Sequence, residues 1–251
     1  MKKNKSTFDR KKFAIKLRSR PLIFGYENSK LKKTHTFSLP SGWTCPGAKD
    51  CLSRANKENG KIQDGPCCRF RCFSASQEAV YTSVRMIRWH NFDLLRKAKT
   101  VKEMVLLILQ GLPYDAELVR LHVAGDFFNQ MYFDAWMEVA RQRPAVTFYT
   151  YTKSLRLWSN RVKNIPYNVK LNASAGGKFD KAINQYDFKS ATVVFTEKDA
   201  KDLKLTIDTD DSHAWKQDKS FALLIHGSQP AGSLAGKCWQ KIKMKKMKGK
   251  K

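Results

Sequence analysis

Between residues 118 and 226 the chain alternates short apolar runs with amphipathic stretches. The runs 118–124, 146–152, 168–174, 191–195 and 221–226 are dense in β-branched, aromatic and other large apolar residues, which is strand composition. Between them, 132–140 carries helical spacing and is closed by Pro144. Residues 155–162 and a stretch opening at 197–202 read as helices, and a last helix is predicted near Pro230. Strands alternating with helices predict βα units and a parallel sheet. Right-handed crossovers then line the strands up or curl them toward a barrel. A closed TIM barrel needs eight strands, and the pattern supplies five or six. The expected fold is therefore α/β, a parallel βα-repeat sheet forming an open or partial TIM-type barrel.

Upstream the pattern differs. Residues 74–97 read as one helix with aromatic and basic faces. Thr100 and Glu103 fit a capping box for a helix over 101–112. A short strand is predicted at 36–39, and residues 40–72, rich in Pro, Gly and Cys, read as a loop-built metal knuckle. The expected organisation is a basic N-terminal arm over 1–34, one α/β domain over 35–236 with a cysteine loop at 43–73, and a Lys-rich tail over 237–251.

Charge sharpens this division. The 251 residues carry a net charge of +26, with 48 Lys and Arg against 22 Asp and Glu. Residues 1–37 hold +10 of the excess and residues 237–251 hold +8. Both ends are expected to be mobile arms that attract polyanions, with nucleic acid or a nucleotide as partner. The start, Met1-Lys2-Lys3-Asn4-Lys5, leads into no apolar h-region, and no run is long and apolar enough to span a bilayer. No membrane association is expected, and the cytoplasm is the expected location. There, clustered cysteines point to metal or catalysis rather than disulfides.

In parallel α/β folds functional groups gather beyond the carboxyl ends of the strands. The predicted ends are His122-Val123-Ala124-Gly125-Asp126, Tyr151-Thr152-Lys153-Ser154, Asn172-Ala173-Ser174-Ala175-Gly176-Gly177, Thr196-Glu197 and His226-Gly227-Ser228. Turn and N-cap chemistry accounts for Ser154, Thr196 and Ser228. A titratable side chain facing a pocket is costly unless used or paired, so Asp126, Lys153 and His226 are the catalytic candidates. His122, inside its strand, is read as a core histidine.

Five of the six cysteines fall within 28 residues: Cys45, Cys51, Cys67, Cys68 and Cys72; Cys238 stands apart. Soft thiolates at short spacing suit one tetrahedral metal or an iron–sulfur cluster. The pairs Cys45-x5-Cys51 and Cys68-x3-Cys72 supply four ligands, with Cys67 a substitute or spectator. Pro46, Gly47, Lys49, Asp50, Gly65 and Arg69 around them argue against small buried hydrophobes. The spacing is not that of a zinc ribbon. Cys68 to Cys72 has the first half of the radical SAM pattern C-x3-C-x2-C, but Ala75 stands where the third cysteine belongs.

Ala231 to Cys238 imitates a P-loop. It lacks the first glycine and the hydroxyl that holds magnesium, which argues against nucleoside triphosphate hydrolysis. Trp89, His90, Phe92 and Arg96, near Arg85 and Arg88, form an aromatic and basic face of the kind that stacks bases. Such a stripe is read here as core plus solvated rim.

The segments Phe37 to Gly47, Cys68 to Ser74, Arg120 to Phe128 and Tyr149 to Ser154 together resemble the phage gene product 88 family, over about residues 35–240. The resemblance implies a phage origin, an uncharacterised function and a relationship to radical SAM barrels. Cys72-Phe73-Ser74 stands where members carry Cys-Tyr-Ala, and Cys238-Trp239 matches a C-terminal Cys-Trp. Carried over, Cys45, Cys51, Cys68 and Cys72 are the cluster ligands. S-adenosylmethionine is the implied cofactor, with Gly125, Asn172, Ser174, Gly176 and Gly177 lining its pocket. The leading expectation is an iron–sulfur enzyme acting on a nucleotide or nucleic acid. The alternative is a zinc-stabilised nucleic-acid-binding protein without catalysis.

Overall fold

The computed structural model describes residues 8–27, 31–216 and 219–248. The strands are β1 (Gly25–Tyr26), β2 (His35–Thr36), β3 (Ser53–Ala55), β4 (Ile62–Asp64), β5 (Leu118–Leu121), β6 (Thr147–Thr152), β7 (Val169–Ser174), β8 (Ser190–Val194), β9 (Thr206–Ile207) and β10 (Phe221–Leu224). The helices are α1 (Arg10–Arg18), α2 (Phe73–Val80), α3 (Thr82–Leu95), α4 (Val101–Gly111), α5 (Gln130–Gln142), α6 (Leu155–Ser159), α7 (Lys181–Gln185), α8 (Glu197–Asp202), α9 (Ser212–Lys216) and α10 (Leu234–Lys248).

Eight strands form one sheet in the order β1-β2-β5-β6-β7-β8-β10-β9, and β3 pairs with β4 in a separate hairpin. Every pairing in the large sheet is parallel except β1 with β2. The strands end at two edges, β1 and β9, so the sheet does not close. The five runs read from the sequence are β5, β6, β7, β8 and β10, lying side by side in chain order. Short β9 and the β1–β2 pair extend them.

Alternation along the strands sorts side chains onto two faces. Val119, Leu121, Phe148, Val169 and Leu171 join the main core with Met104 and Ile108 of α4 and Phe133 and Trp136 of α5. On the other face Tyr149, Ala191 and Phe221 pack with Ala214 of α9. Thr100 caps α4 by accepting from the Glu103 N–H at 3.1 Å, as its spacing predicts.

Two of the predicted elements change. The helix read over 74–97 is two helices, broken at Tyr81, whose backbone is extended (φ −107°, ψ 99°). The Arg85 guanidinium donates to the Glu78 carbonyl, which a continuing helix would have used, and at 3.1 Å to the Lys57 carbonyl between β3 and β4. The strand read at 36–39 is only His35–Thr36. Phe37 and Leu39 nevertheless follow β5, donating to the Arg120 and Ala124 carbonyls at 3.0 and 2.9 Å.

Neither basic end trails freely where it is described. Leu17 of α1 and Leu22 are buried, and Asn91 holds the backbone of Ile23 at both its N–H and its carbonyl, at 2.8 and 2.9 Å. Residues 237–248 belong to α10, and Lys245 on it reaches Glu197 at 3.1 Å. This is the helix predicted near Pro230, and it runs on through the lysines expected to form a separate tail. Residues 1–7, part of the expected arm, and 249–251, part of the expected tail, lie outside the described residues. No described helix is long and apolar enough to cross a membrane.

Candidate functional site

The cysteine segment folds as two pieces laid over the carboxyl ends of the parallel strands. The first carries Cys45 and Cys51. Ala48 bridges to Gly177 after β7. The Lys178 N–H donates to the Gly47 carbonyl at 2.9 Å, and the Asp50 N–H donates to the Gly176 carbonyl at 3.0 Å. Gly125, at φ 82° after β5, lies against Leu39 and Thr44, where a Cβ would have no room.

The second piece carries Cys68 and Cys72 and reaches the outer strands. The Arg71 N–H donates to Gln229 Oε1 at 2.8 Å, and Gln229 Nε2 donates back to the Arg71 carbonyl at 3.0 Å. Ser74 Oγ donates to the Val123 carbonyl beyond β5 at 2.7 Å. Phe73 packs on His226, with ring centroids 4.8 Å apart. The β3–β4 hairpin joins the two pieces: Ser53 Oγ accepts from the Cys72 N–H at 3.2 Å and lies 3.6 Å from Cys68 Sγ.

The four predicted ligand thiols share one electrostatic neighbourhood. Burial holds the Cys45 thiol well above its usual range, and charge on Asp126, Cys72 and Cys51 adds to the effect. Burial pushes Cys51 up to about 12, opposed by Lys153 and reinforced by Cys72, Cys68 and Asp126. Cys68 is raised chiefly by burial and further by Asp64 and Cys72, against its contacts with Ser53 and the Phe70 carbonyl. Cys67 is exposed. Among the described residues, no three His, Cys, Asp or Glu side chains are placed to hold a metal ion together as they stand.

Asp126 and Lys153 sit beneath the first piece. Asp126 accepts from Thr152 Oγ1 at 2.6 Å and from the N–H groups of Phe127 and Lys153 at 2.7 and 2.8 Å. Burial raises its carboxyl to about 6 against these bonds. Lys153 Nζ donates to the Ser174 carbonyl and to Ser174 Oγ, both at 2.9 Å. Ser174, Gly176 and Gly177 thus meet Lys153 and the cysteine loop. The N–H groups of Gly176 and Gly177 are taken by Asp180 at 2.7 and 2.9 Å. Asn172 lies apart on the sheet face, where its amide holds the Ala214 carbonyl at 2.9 Å. His226 stands with the second piece. His122 is a core residue between Thr150 and Tyr132, and burial depresses its pKa to about 3. Trp89, Arg85 and Arg88 are buried too, which makes the aromatic and basic stripe of α3 largely core.

The sequence reading missed a second group on the sheet face. Arg120 of β5 pairs with Asp211 ahead of α9, and its guanidinium lies 5.0 Å from the centroid of the Tyr151 ring. The only signal was the run Asp208-Thr209-Asp210-Asp211, an acidic patch in a chain short of acids.

The family model described as gene product 88 matches residues 10–241. The chain belongs to the gene product 88 family. The match runs from α1 into α10, beyond the span of the four resembling segments. The Gene 88 protein of Mycobacterium phage L5 is 28% identical over 152 residues, 55% of this chain and 57% of that protein. The Gene 88 protein of Mycobacterium phage D29 is 28% identical over 136 residues, half of each chain. This family member therefore spans between half and three-fifths of the length of these curated relatives. No solved structure matches.

Proposed function

We propose that this gene product 88 family member is an iron–sulfur enzyme of radical SAM type, working in a host cytoplasm on a nucleotide or nucleic acid. Its sheet is then an opened βα barrel, and Cys45, Cys51, Cys68 and Cys72 are the cluster ligands. The observation that carries this reading is that, with Ser53 joining them at the Cys72 N–H and Cys68 Sγ, both cysteine-bearing pieces lie over the carboxyl ends of the parallel strands. That is where α/β folds put their chemistry.

The donor set fits in kind, because four sulfurs are the usual complement of an iron–sulfur cluster. The thiols must turn toward one another to share it. Burial keeps Cys45 and Cys51 protonated at neutral pH, so loading releases protons. When bound with S-adenosylmethionine, such a cluster supplies an electron for radical chemistry. The chain's own part is to shield and orient. Gly176 and Gly177 fix the loop, Lys153 neutralises negative charge near Cys51, and Asp126, held by three donors, braces the strand end beneath Cys45.

Ala75 favours a second reading. It is fully buried where a third closely spaced cysteine would stand, which suits a structural zinc site built from four cysteines as well as a cluster. The protein would then be a zinc-stabilised nucleic-acid binder without catalysis. Anaerobic purification separates the two. Iron with acid-labile sulfide supports the enzyme, one zinc in a colourless protein supports the second reading, and neither metal overturns both.

A further inference from the structure

Helix α1 lies against α3, and a cleft of about 360 Å³ opens between them. Leu17 of α1 and Leu94 of α3 give it apolar walls. The chain that leaves α1 is pinned beside it. His90 Nε2 lies 3.1 Å from the Pro21 carbonyl, and Asn91 holds the backbone of Ile23. The cleft is therefore preformed, which spares a ligand the cost of ordering it.

Its charge is one-sided. Among the described lining residues, Arg10, Arg18, Lys57 and Lys97 stand against the single acid Asp93. Arg10 is paired with Glu58, and Lys57 with Asp93 at 2.8 Å. Arg18 and Lys97 are exposed, and their side chains form no ion pair among the described residues. An excess of cations around a concave surface concentrates anions there. Trp89, on the cleft wall, is 8% exposed, and its Nε1 has no hydrogen-bond partner among the described residues. Buried donors without partners are rare in native proteins, and they mark places where a ligand or water completes the bonding. In a cleft of this charge an anionic oxygen is the fitting acceptor.

Trp89 also connects the cleft to the cysteine loop. Lys57 Nζ lies 4.6 Å from the centroid of its ring, and the ring of Trp43 is 5.7 Å away. Trp43 is 44% exposed and stands two residues before Cys45. Its Nε1 donates to the Ala55 carbonyl at 2.9 Å, and the Arg54 guanidinium lies 4.9 Å from its ring centroid, so the indole is held in place. Cations and aromatic rings thus run together from the cleft to the loop. A basic groove beside a fixed, exposed ring is the arrangement that binds single strands, the groove following phosphates and the ring stacking an unpaired base. A duplex keeps its bases stacked inside and offers a ring only their edges.

We propose that this cleft and Trp43 form a track for single-stranded nucleic acid, with backbone phosphates on Arg18 and Lys97 and a base stacked on Trp43 beside the Cys45 loop. The proposal rests on the substrate class proposed above and deepens it, choosing the nucleic acid strand over the free nucleotide. It does not depend on which metal the cysteines hold. A strand brings several phosphates and bases to these groups, and a mononucleotide only one of each.

The test is fluorescence anisotropy of the full-length protein with fluorescein-labelled single strands of thymidylate and of uridylate, about twelve nucleotides long, the scale of one binding groove. A duplex of the same length and the two 5′-monophosphates serve as competitors. At least one strand is expected to bind about ten-fold or more tightly than any competitor. R18Q with K97Q is expected to weaken it and to lower the salt slope by up to about 0.7 for each phosphate no longer neutralised. W43A is expected to weaken it about ten-fold, the scale of one lost base stack, at an unaltered salt slope, and W43F, which keeps a ring, to recover most of the loss. Arg18 and Lys97 are exposed, so the double variant stands as a check should W43A disturb the loop. Equal or tighter binding of the duplex or of the monophosphates overturns the proposal, as does failure to bind either strand. Unchanged affinity in the double variant or in W43A shows that the strand does not follow this track and overturns it too. Metal content is measured on the same samples. Strand binding through these residues by protein lacking iron sinks the enzyme reading and leaves this one standing, while iron-loaded protein that binds monophosphates but no strand does the reverse.

Discussion

Gly47 lies against the carbonyl of Lys153 so closely that a Cβ at residue 47 would stand 1.9 Å from the oxygen and 2.5 Å from the carbon. No side chain can occupy that gap. The loop bearing Cys45 and Cys51 rests on the carboxyl end of β6 only because residue 47 has none. G47A is therefore expected to lift the loop, costing about 1–3 kcal/mol, as overpacking does. Urea denaturation checks the stability. Metal content should fall with it, and an unchanged midpoint would mean that loop and strand do not meet in this way.

The ligand assignment predicts an uneven response among the cysteines. C68S and C72S, made together, are expected to abolish metal content, whichever metal is present. C67S is expected to keep it, because Cys67 is exposed and none of the shifted thiols senses it. Since burial keeps the Cys45 and Cys51 thiols protonated, metal should bind more tightly as pH rises from about 6 to 8. Elemental analysis and competition with a chelator read both effects. Full metal in the double variant would show that the ligands lie elsewhere.

The parallel sheet was legible because β5, β6, β7, β8 and β10 are apolar runs between helical stretches, and that pattern is local. What failed to show depends on residues far apart. At the break by Tyr81, Arg85 takes the Glu78 carbonyl and reaches across to the Lys57 carbonyl, 28 residues away. The pairing of Arg120 with Asp211 joins residues 91 apart. In the candidate site Asp126, Lys153 and the cysteines stood out by type. That Asn172 anchors α9 instead is decided by tertiary packing, which no spacing encodes.

Glu78 and Arg88 form an ion pair with almost no exposure, at 2.8 Å. Glu78 Oε1 also accepts from the N–H and Oγ of Ser41, both at 2.9 Å, so the pair ties the chain before Cys45 to α2 and α3. Removing one partner strands the other charge in the interior. R88L is expected to cost about 3–5 kcal/mol, whereas E78Q, which keeps an acceptor, should cost less. Thermal and urea melts distinguish them, and equal small losses would show that the charges are better solvated than this.

If nucleic acid is the partner, α10 offers exposed lysines. Lys241, Lys243 and Lys245 lie on it, and Lys245 reaches Glu197 at 3.1 Å. Replacing the three with Gln is expected to lower the salt slope of binding by up to about 0.9 for each phosphate that is no longer neutralised. Fluorescence anisotropy across a salt series measures it. An unaltered slope removes the helix from any role in holding nucleic acid.

Asp126 and His122 predict opposed pH effects that partly hide each other. Burial raises the Asp126 carboxyl from 3.8 to about 6. The folded state then holds its proton more tightly than the unfolded chain, so this contribution is full below 3.8 and is lost as pH climbs through 6. A shift of that size corresponds to about 3 kcal/mol. His122 moves the other way, from 6.5 to about 3. Above 6.5 it is neutral folded or unfolded; below, the unfolded chain takes a proton that the core refuses, and stability falls toward pH 3. D126N leaves the histidine slope alone and should lose stability faster than the parent on acidification from 6.5 to 4. H122N, with a residue that tolerates the backbone φ of 57°, should instead gain stability relative to the parent over the same interval. Urea midpoints taken at half-unit steps of pH decide the matter. Parallel curves for both variants and the parent would mean that neither group titrates in the buried state described.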